Sequence, residues 1–391
     1  MISGARRNER HHPLLLWAPA ALVAVATGVI ALRRPESLRL TDLQVYLGAL
    51  DTLRDGGSLY DYIRNGNAPF TYPPFAALFL LVPAQLPLTV LYAAWTLGTG
   101  LAAVALARLF DRRAAPWLAL VLMLSAPVSS NFRYGQVSLL LAVLVTTDVL
   151  ALRHSRHQGV LIGLAAAVKL TPLIFIPMLW LTGRRRAAAV ATATFLACTT
   201  LAGVLLPQDS WRYWGTEVHD VSRLGFITSV GNQSLNGALL RLDVPHRPLL
   251  ATLLAGTIAA IALWRVAGLR DPRTALVITG AAGVVLSPVS WTHHQVWLVL
   301  AAFLPLIRPA RVAVLTVMLA PVTALAWTPL RESRLLLAIA LALLLPTRSP
   351  ARHEPANRPS TAGWARDRPT AAASPSPYPR SAGPGRPLPS P

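Results

Sequence analysis

Charged side chains are scarce in this sequence. Only 13% of its 391 residues are Asp, Glu, Lys or Arg, whereas 54% are hydrophobic. Soluble domains carry about 25% charged residues, so this composition excludes an ordinary soluble fold. Apolar runs such as 13–32, 88–110 and 249–269 are near the ~20 residues that span a hydrocarbon core. The sequence therefore predicts an all-α polytopic membrane protein.

Cysteine and acidic residues are also few. The single cysteine, Cys198, allows no internal disulfide and is expected to be a buried, inert thiol inside an apolar run. Lys and Arg outnumber Asp and Glu by 36 to 16, for a formal net charge of +20. The basic residues form short clusters between apolar runs, without a stripe of interleaved aromatics. We interpret them as topology signals and contacts to membrane lipid, not as a nucleic-acid surface.

The chain divides into three predicted parts. Residues 1–12 carry three arginines before the first apolar run, which predicts a cytoplasmic N-terminal segment. That run is too long for a signal peptide and is expected to be an uncleaved first helix of a membrane domain over 13–347. Residues 348–391 are rich in Pro, Ala, Ser and Arg and are predicted to be a disordered cytoplasmic tail.

About twelve apolar segments follow one another in the membrane domain. Twelve crossings place three basic clusters in the cytoplasm, namely 183–186, 270–273 and 308–311. The same count leaves residues 111–113 and 153–157 outside, against the positive-inside rule. Re-entrant segments at 72–86 and 115–130 would instead leave ten crossings.

Two connections, 33–71 and 207–247, are too long and too patterned to be simple linkers. Both fall on the outer face of the membrane when residues 183–186 are cytoplasmic. Residues 43–57 have apolar side chains at helical spacing with a polar face. This pattern is typical of a helix that lies in the plane of the interface.

Asp42 is the first acid after the first apolar run, and Tyr46 follows on the same helical face. A carboxylate at the membrane surface can act as a general base on an attacking hydroxyl. Thr41 or Asp42 could instead cap the helix that follows. One residue can do both, so the two interpretations stay open.

Lys169 stands in a long apolar stretch, and an intramembrane lysine by default marks a functional site. Its most plausible role is as a cation for a phosphate, and the alternative is snorkelling toward the interface. Tyr72 precedes Pro73 and Pro74 at a helix entrance, where an interfacial anchor is expected.

Amide side chains are concentrated in two places, RYGQVS with Gln136 and GNQSLNGALLRL with Asn232, Gln233 and Arg241. Carboxamides suit sugar recognition and an arginine suits a phosphate. Helix caps and turns explain any one of these residues equally well.

The stretch SPVSWTHHQVW places His293 and His294 between Trp291 and Trp297. A zinc site would need further ligands at suitable spacing. Neighbouring side chains on a helix point about 100° apart, so we expect only one ring to face a cavity. That ring would bind a donor phosphate, and the alternative is an interfacial histidine between anchoring tryptophans.

Taken together and in order, these motifs resemble those of glycosyltransferase family 87. They are D-x-x-x-Y after the first helix, F-x-YPPFAAL, GQ, GVLIGLAAAVKLTPL before a basic triplet, GNQSLNG with a nearby arginine, and SPVSWTHH. The chain is most similar to the actinobacterial α-(1→2)-mannosyltransferases that act on phosphatidylinositol mannosides and lipomannan. The resemblance covers roughly residues 10–345.

The resemblance implies a GT-C fold of about 12 transmembrane helices in the plasma membrane, with an extracytoplasmic site. It implies inverting transfer of mannose from polyprenyl-phosphate mannose to a glycolipid acceptor, with Asp42 as catalytic base. DLQ replaces the D-x-D of many GT-C enzymes, so we expect neither a metal nor another cofactor. The alternatives are an arabinofuranosyl donor or, in another class, a lipid or sugar transporter.

Two sets of residues complete the predicted site. The donor phosphate is assigned to Lys169, Arg241, His293 and His294. The sugar or acceptor is assigned to Tyr46, Tyr72, Gln136, Asn232 and Gln233.

Overall fold

The computed structural model describes residues 14–325 and 327–347. The predicted N-terminal segment 1–12 and the predicted tail 348–391 lie outside the described residues. Within them, nearly all regular structure is helical, and one short antiparallel hairpin pairs β1 (Ile63–Arg64) with β2 (Ala68–Pro69).

The first nine helices lead from the first apolar run to the cluster at 183–186. They are α1 Ala18–Leu32, α2 Thr41–Arg54, α3 Pro74–Leu81, α4 Leu88–Phe110, α5 Ala115–Leu124, α6 Ala126–Tyr134, α7 Ser138–Thr146, α8 Val160–Val168 and α9 Phe175–Leu181. Prolines open α3 and α5, where a missing N–H is harmless.

The remaining helices carry the second long loop and the histidine pair. They are α10 Arg185–Leu205, α11 Pro207–Gly215, α12 Leu235–Arg241, α13 Arg247–Val266, α14 Pro272–Leu286, α15 Val296–Leu300, α16 Arg308–Leu319, α17 Thr328–Arg331 and α18 Ser333–Leu344. Cys198 lies in α10 and is half-buried, not fully buried as expected.

Four helical stretches of the described chain are long and apolar enough to cross a membrane: Leu15–Leu32, Leu88–Phe110, Arg185–Leu205 and Arg247–Val266. A fifth candidate is the α5–α6 pair, which bends by 62°. Shorter apolar helices occupy most of the other predicted segments. The helical, membrane-type fold is confirmed, whereas the number of crossings stays a prediction.

Four basic clusters lie at one end of the helical bundle, namely 111–113, 153–157, 183–186 and 270–273. Arg153 donates to the main-chain carbonyl of Arg270 at 3.3 Å, and Arg273 lies 3.5 Å from the carboxylate of Asp111. Arg186, in the third cluster, donates to the 153–157 turn at 3.4 Å. The expectation that residues 111–113 and 153–157 lie opposite the other clusters is therefore wrong.

The reason is that the apolar segment 158–182 turns back on itself. Asp148 accepts hydrogen bonds from the main-chain N–H groups of Gly159 and Ile162 at 2.7 and 3.1 Å, so α8 begins at the basic end. The helix stops at Val168 because Lys169 is extended, and α9 then runs back toward the cluster at 183–186. This hairpin of α8 and α9 holds Lys169 at its turn.

Close packing against α10 fixes the hairpin. Gly159 and Gly163 face Ala187 and Ala191 of α10, and a Cβ on either glycine would collide with the α10 main chain. Small residues four apart on both helices allow this approach, as is common between membrane helices. The glycines of GVLIG therefore set the depth at which Lys169 sits.

Candidate active site

A cavity of about 470 Å³ lies between the ends of several helices and the two long loops. Asp42, Gln136 and Lys169 line it, and so do both histidines of the SPVSWTHHQVW stretch. The start of α2, the end of α6 and the turn after α8 converge here.

Asp42 lies in the first turn of α2 and lines the cavity. No side chain caps α2, so the interpretation that Thr41 or Asp42 caps this helix is wrong. Its carboxylate accepts a hydrogen bond from the Gln136 amide and one of 3.3 Å from Thr41. Burial raises the pKa of the Asp42 carboxyl above its usual range, and Gln136 and Lys169 offset part of that rise.

Gly135 brings Gln136 to Asp42. It ends α6 with φ +69°, and a Cβ there would lie 2.8 Å from the Cβ of Leu43 and 3.1 Å from that of Leu40. A larger residue would therefore push α6 away from α2. The GQ dipeptide is a close-packing glycine followed by the residue that it positions.

Two tyrosines continue the network. The Tyr46 and Tyr72 hydroxyls are 2.8 Å apart, and they donate to Gln136 Oε1 at 3.2 and 2.9 Å respectively. The rings pack edge to face with centroids 5.1 Å apart. Tyr72 is buried at the cavity wall, so the interfacial-anchor interpretation of Tyr72 is wrong.

Lys169 joins this network to the histidines. Its Nζ lies 3.2 Å from the Tyr72 hydroxyl, 3.4 Å from Ser138 Oγ and 2.8 Å from His294 Nε2. Because an ammonium only donates, His294 Nε2 is the acceptor and the ring proton is assigned to Nδ1. No carboxylate of the described chain forms an ion pair with Lys169 within 4.0 Å.

His293 lies beside His294, with ring centroids 4.5 Å apart. Its Nδ1 is 3.5 Å from Ser130 Oγ, and its buried Nε2 has no hydrogen-bond partner among the described residues. Both rings line the cavity, so the expectation that only one does is wrong. The two residues belong to a short 3-10 turn, Thr292–His294, that lines the cavity.

Neither flanking tryptophan is oriented as an interfacial anchor. Trp297 packs on Phe175 with ring centroids 5.0 Å apart, and Gly280 leaves it room. Trp291 lines the cavity, and its ring would be in van der Waals contact with a Cβ at Gly225 or Gly231.

Arg241 is placed outside the cavity lining. It forms a bidentate pair with Glu332 at 2.7 and 2.6 Å, and both side chains are buried. Its remaining donors reach the main-chain carbonyls of Ser229 and Asn232 at 2.9 and 3.0 Å. Arg241 thus joins the second loop to the residues just before α18.

Asn232 and Gln233 are fully buried and also lie outside the cavity lining. Asn232 donates to the Ile227 carbonyl and accepts from the Ser290 N–H, both at 2.9 Å. Gln233 donates at 2.8 Å to the Val230 carbonyl and to a carbonyl of α17. These amides bond to main chain and hold the second loop against the SPVSW segment.

Sequence patterns missed a charged wall in the second loop. Glu217, Asp220 and Arg223 line the cavity. Arg212 joins Glu217 at 2.7 Å to Asp61 of the first loop at 2.5 Å, so ion pairs tie the two loops together. The only signal was a concentration of charge in a loop already too patterned for a linker.

Two characterised proteins resemble most of the chain. A polyprenol-phosphate-mannose-dependent alpha-(1-2)-phosphatidylinositol mannoside mannosyltransferase of Mycobacterium tuberculosis is 34% identical over 84% of each chain. A polyprenol-phosphate-mannose-dependent alpha-(1-2)-phosphatidylinositol pentamannoside mannosyltransferase of Mycolicibacterium smegmatis is 35% identical over 76% of each chain. With its apolar helices and enclosed polar site, the protein is a membrane glycosyltransferase.

The family follows from a second match. The model of glycosyltransferase family 87 matches residues 70–290, more than half of the chain, including Gln136 and Lys169. The chain belongs to glycosyltransferase family 87, and the resemblance found in the sequence motifs is confirmed.

Proposed function

We propose that the protein transfers mannose from polyprenyl-phosphate mannose to a hydroxyl of a lipid-linked mannoside of the phosphatidylinositol mannoside type. The names of the two relatives support this donor and acceptor. The cavity supports it chemically, because a base and phosphate-binding groups lie in the same chamber.

The observation that carries the proposal is a continuous chain of side-chain contacts. It runs from Asp42 through Gln136 and Tyr72 to Lys169 and His294. One end is a carboxylate that can accept a proton, and the other is a cation beside an imidazole. A glycosyl transfer to a hydroxyl needs both kinds of group, on either side of one sugar carbon.

In the proposed step, Asp42 takes the proton of the acceptor hydroxyl as its oxygen bonds to the anomeric carbon of mannose. The bond from that carbon to the donor phosphate oxygen breaks, and polyprenyl phosphate leaves with the electron pair. Lys169 stabilises the departing anion, and His293 Nε2 is placed to hydrogen-bond it. Attack opposite the leaving group inverts the anomeric centre. No metal or other cofactor forms part of the proposed step.

We place the reaction on the extracytoplasmic side. Helix α14 begins at the basic end and leads to Ser287 at the cavity, and its 15 residues span about 22 Å. With the basic clusters cytoplasmic, the cavity lies near the outer surface. Counting α3 as peripheral and the α8–α9 hairpin as re-entrant leaves about ten crossings instead of twelve.

The test is transfer by purified protein in lipid nanodiscs. Labelled polyprenyl-phosphate mannose and a phosphatidylinositol mannoside should yield a product with one added α-linked mannose, and the arabinofuranosyl donor should yield none. Folded protein that transfers no mannose would contradict the proposal. Movement of the donor across vesicles without transfer would support a transporter.

A further inference from the structure

An inverting displacement requires the acceptor oxygen and the leaving phosphate oxygen to lie on opposite sides of the anomeric carbon. Lys169 and His293 mark the phosphate side under the proposed function, because Lys169 carries the charge and His293 Nε2 has no hydrogen-bond partner among the described residues. Asp42 marks the acceptor side, because it must touch the attacking hydroxyl. The acceptor sugar should therefore occupy the part of the cavity that continues past Asp42, away from Lys169.

The turn and second strand of the β1–β2 hairpin line the cavity. Arg64 of β1 donates to the Gln44 amide oxygen of α2 at 3.1 Å, which fixes the hairpin beside the helix that carries Asp42. Asn67, in the turn between the strands, lines the cavity with an exposed side chain. Its amide is therefore free to bind a hydroxyl.

Residues of the second loop line the cavity next to this hairpin. The turn Val221–Leu224 packs on β2, and Arg223 donates to the main-chain carbonyl of Tyr60 at 2.8 Å. Glu217 pairs with Arg223 and is itself held by Arg212. Two tethers thus fix the Arg223 guanidinium at the cavity wall. Asp220 also lines the cavity, and one of its carboxylate oxygens accepts hydrogen bonds from the main-chain N–H and the hydroxyl of Ser222.

We propose that the hairpin turn and the adjoining residues of the second loop are the acceptor subsite, which binds the terminal sugar of the lipid-linked acceptor. The proposal rests on the proposed function, because it takes Asp42 as the base. A guanidinium, a carboxylate and an amide donate to and accept from neighbouring hydroxyls of a pyranose. Trp291 lines the cavity beside Gly225 and supplies an apolar surface for the sugar ring.

The test compares Arg223→Gln and Asn67→Ala with the wild type in nanodiscs. A bond to a charged group contributes more than a neutral one, so Arg223→Gln should raise the KM for the acceptor about tenfold or more, and Asn67→Ala a few-fold. The Kd for polyprenyl-phosphate mannose should stay within about twofold, because the donor phosphate is bound elsewhere. Arg54→Gln, which removes an exposed arginine of α2, is the matched control and should change neither value.

Direct binding of the acceptor glycolipid separates this proposal from the proposed function. If the wild type transfers no mannose but binds the glycolipid, and both variants weaken that binding, the subsite stands and the proposed function falls. Unchanged acceptor affinity in both variants would overturn the subsite, as would an equal loss of donor affinity. If Arg223→Gln unfolds, Asn67→Ala decides, because its exposed side chain supports no contact of the fold.

Discussion

Two amide-rich regions look alike in sequence and differ in what their side chains bind. Around Gln136, side chains bind other side chains at a cavity wall, in the order Asp42, Gln136, Tyr72 and Lys169. In the segment 232–241, Asn232 and Gln233 bind main-chain groups. The side chains around Gln136 therefore face a cavity, whereas the amides of Asn232 and Gln233 hold a loop in place.

The charges of the two regions differ in the same way. Arg241 is neutralised by a bidentate carboxylate, whereas Lys169 contacts hydroxyls and an imidazole. A buried cation without a carboxylate is costly unless it serves a ligand. Equivalent substitutions in the two regions should therefore separate activity from stability.

The largest effect is expected at Asp42. Asp42→Asn removes the base and keeps the size of the side chain, so kcat should fall by about 10² to 10⁴. Steady-state transfer assays in nanodiscs measure this loss. Asp55→Asn makes the same charge change at the exposed end of α2 and should retain wild-type turnover. Near-wild-type turnover of a folded Asp42→Asn protein would exclude the base role.

Lys169→Met and Arg241→Met remove one cation from each region. The first should lower kcat by about 10² to 10³, because charge that stabilises the leaving phosphate is lost. The second strands Glu332 in a buried position and should lower the free energy of unfolding by about 3–5 kcal/mol. Transfer rates and thermal unfolding in detergent measure the two effects. The reverse pattern would mean that Arg241 is the phosphate ligand.

Gln136→Ala and Gln233→Ala make the same comparison with amides. Loss of Gln136 frees the Asp42 carboxylate and two tyrosine hydroxyls, so activity should fall about tenfold. Loss of Gln233 leaves buried carbonyls without donors and should cost about 1–3 kcal/mol of stability. Equal effects of both variants on transfer and on thermal unfolding would contradict the distinction.

The smallest effect is expected on pH dependence. The base acts only when ionised, and burial raises the pKa of Asp42. The fall of kcat on the acid side should therefore have its midpoint at a higher pH than the usual pKa of an aspartate, about 4. Gln136→Ala removes a bond that lowers this pKa, so the acid limb should move to higher pH. If the acid limb of the pH profile does not move in this variant, a group other than Asp42 sets it.

Residue patterns predicted the helical membrane fold because apolar runs report directly on burial in lipid. They misplaced residues 111–113 and 153–157 because hydropathy alone does not distinguish a span from a hairpin in 158–182. Two features identify the hairpin: the hydrogen bonds that Asp148 accepts from the start of α8, and the glycines that pack α8 against α10. Both require knowledge of contacts distant in sequence.

Most of the residues predicted for the site line the cavity. Lys169 was recognised because a charge is costly inside an apolar stretch, and Asp42 and the two histidines because titratable residues next to apolar runs are few in this chain. Tyr46, Tyr72 and Gln136 line the cavity as well. Asn232, Gln233 and Arg241 were assigned by chemical type alone, and composition does not show whether an amide faces a cavity or a carbonyl. Arg223 was missed because its role depends on a loop folding over β2.

The most direct test is a cryo-EM structure of the Asp42→Asn protein in nanodiscs with polyprenyl-phosphate mannose. The donor phosphate should lie within hydrogen-bonding distance of Lys169, and the anomeric carbon should lie between that phosphate and the side chain at position 42. Density for the phosphate at Arg241, or outside the cavity that Asp42 and Lys169 share, would contradict this placement.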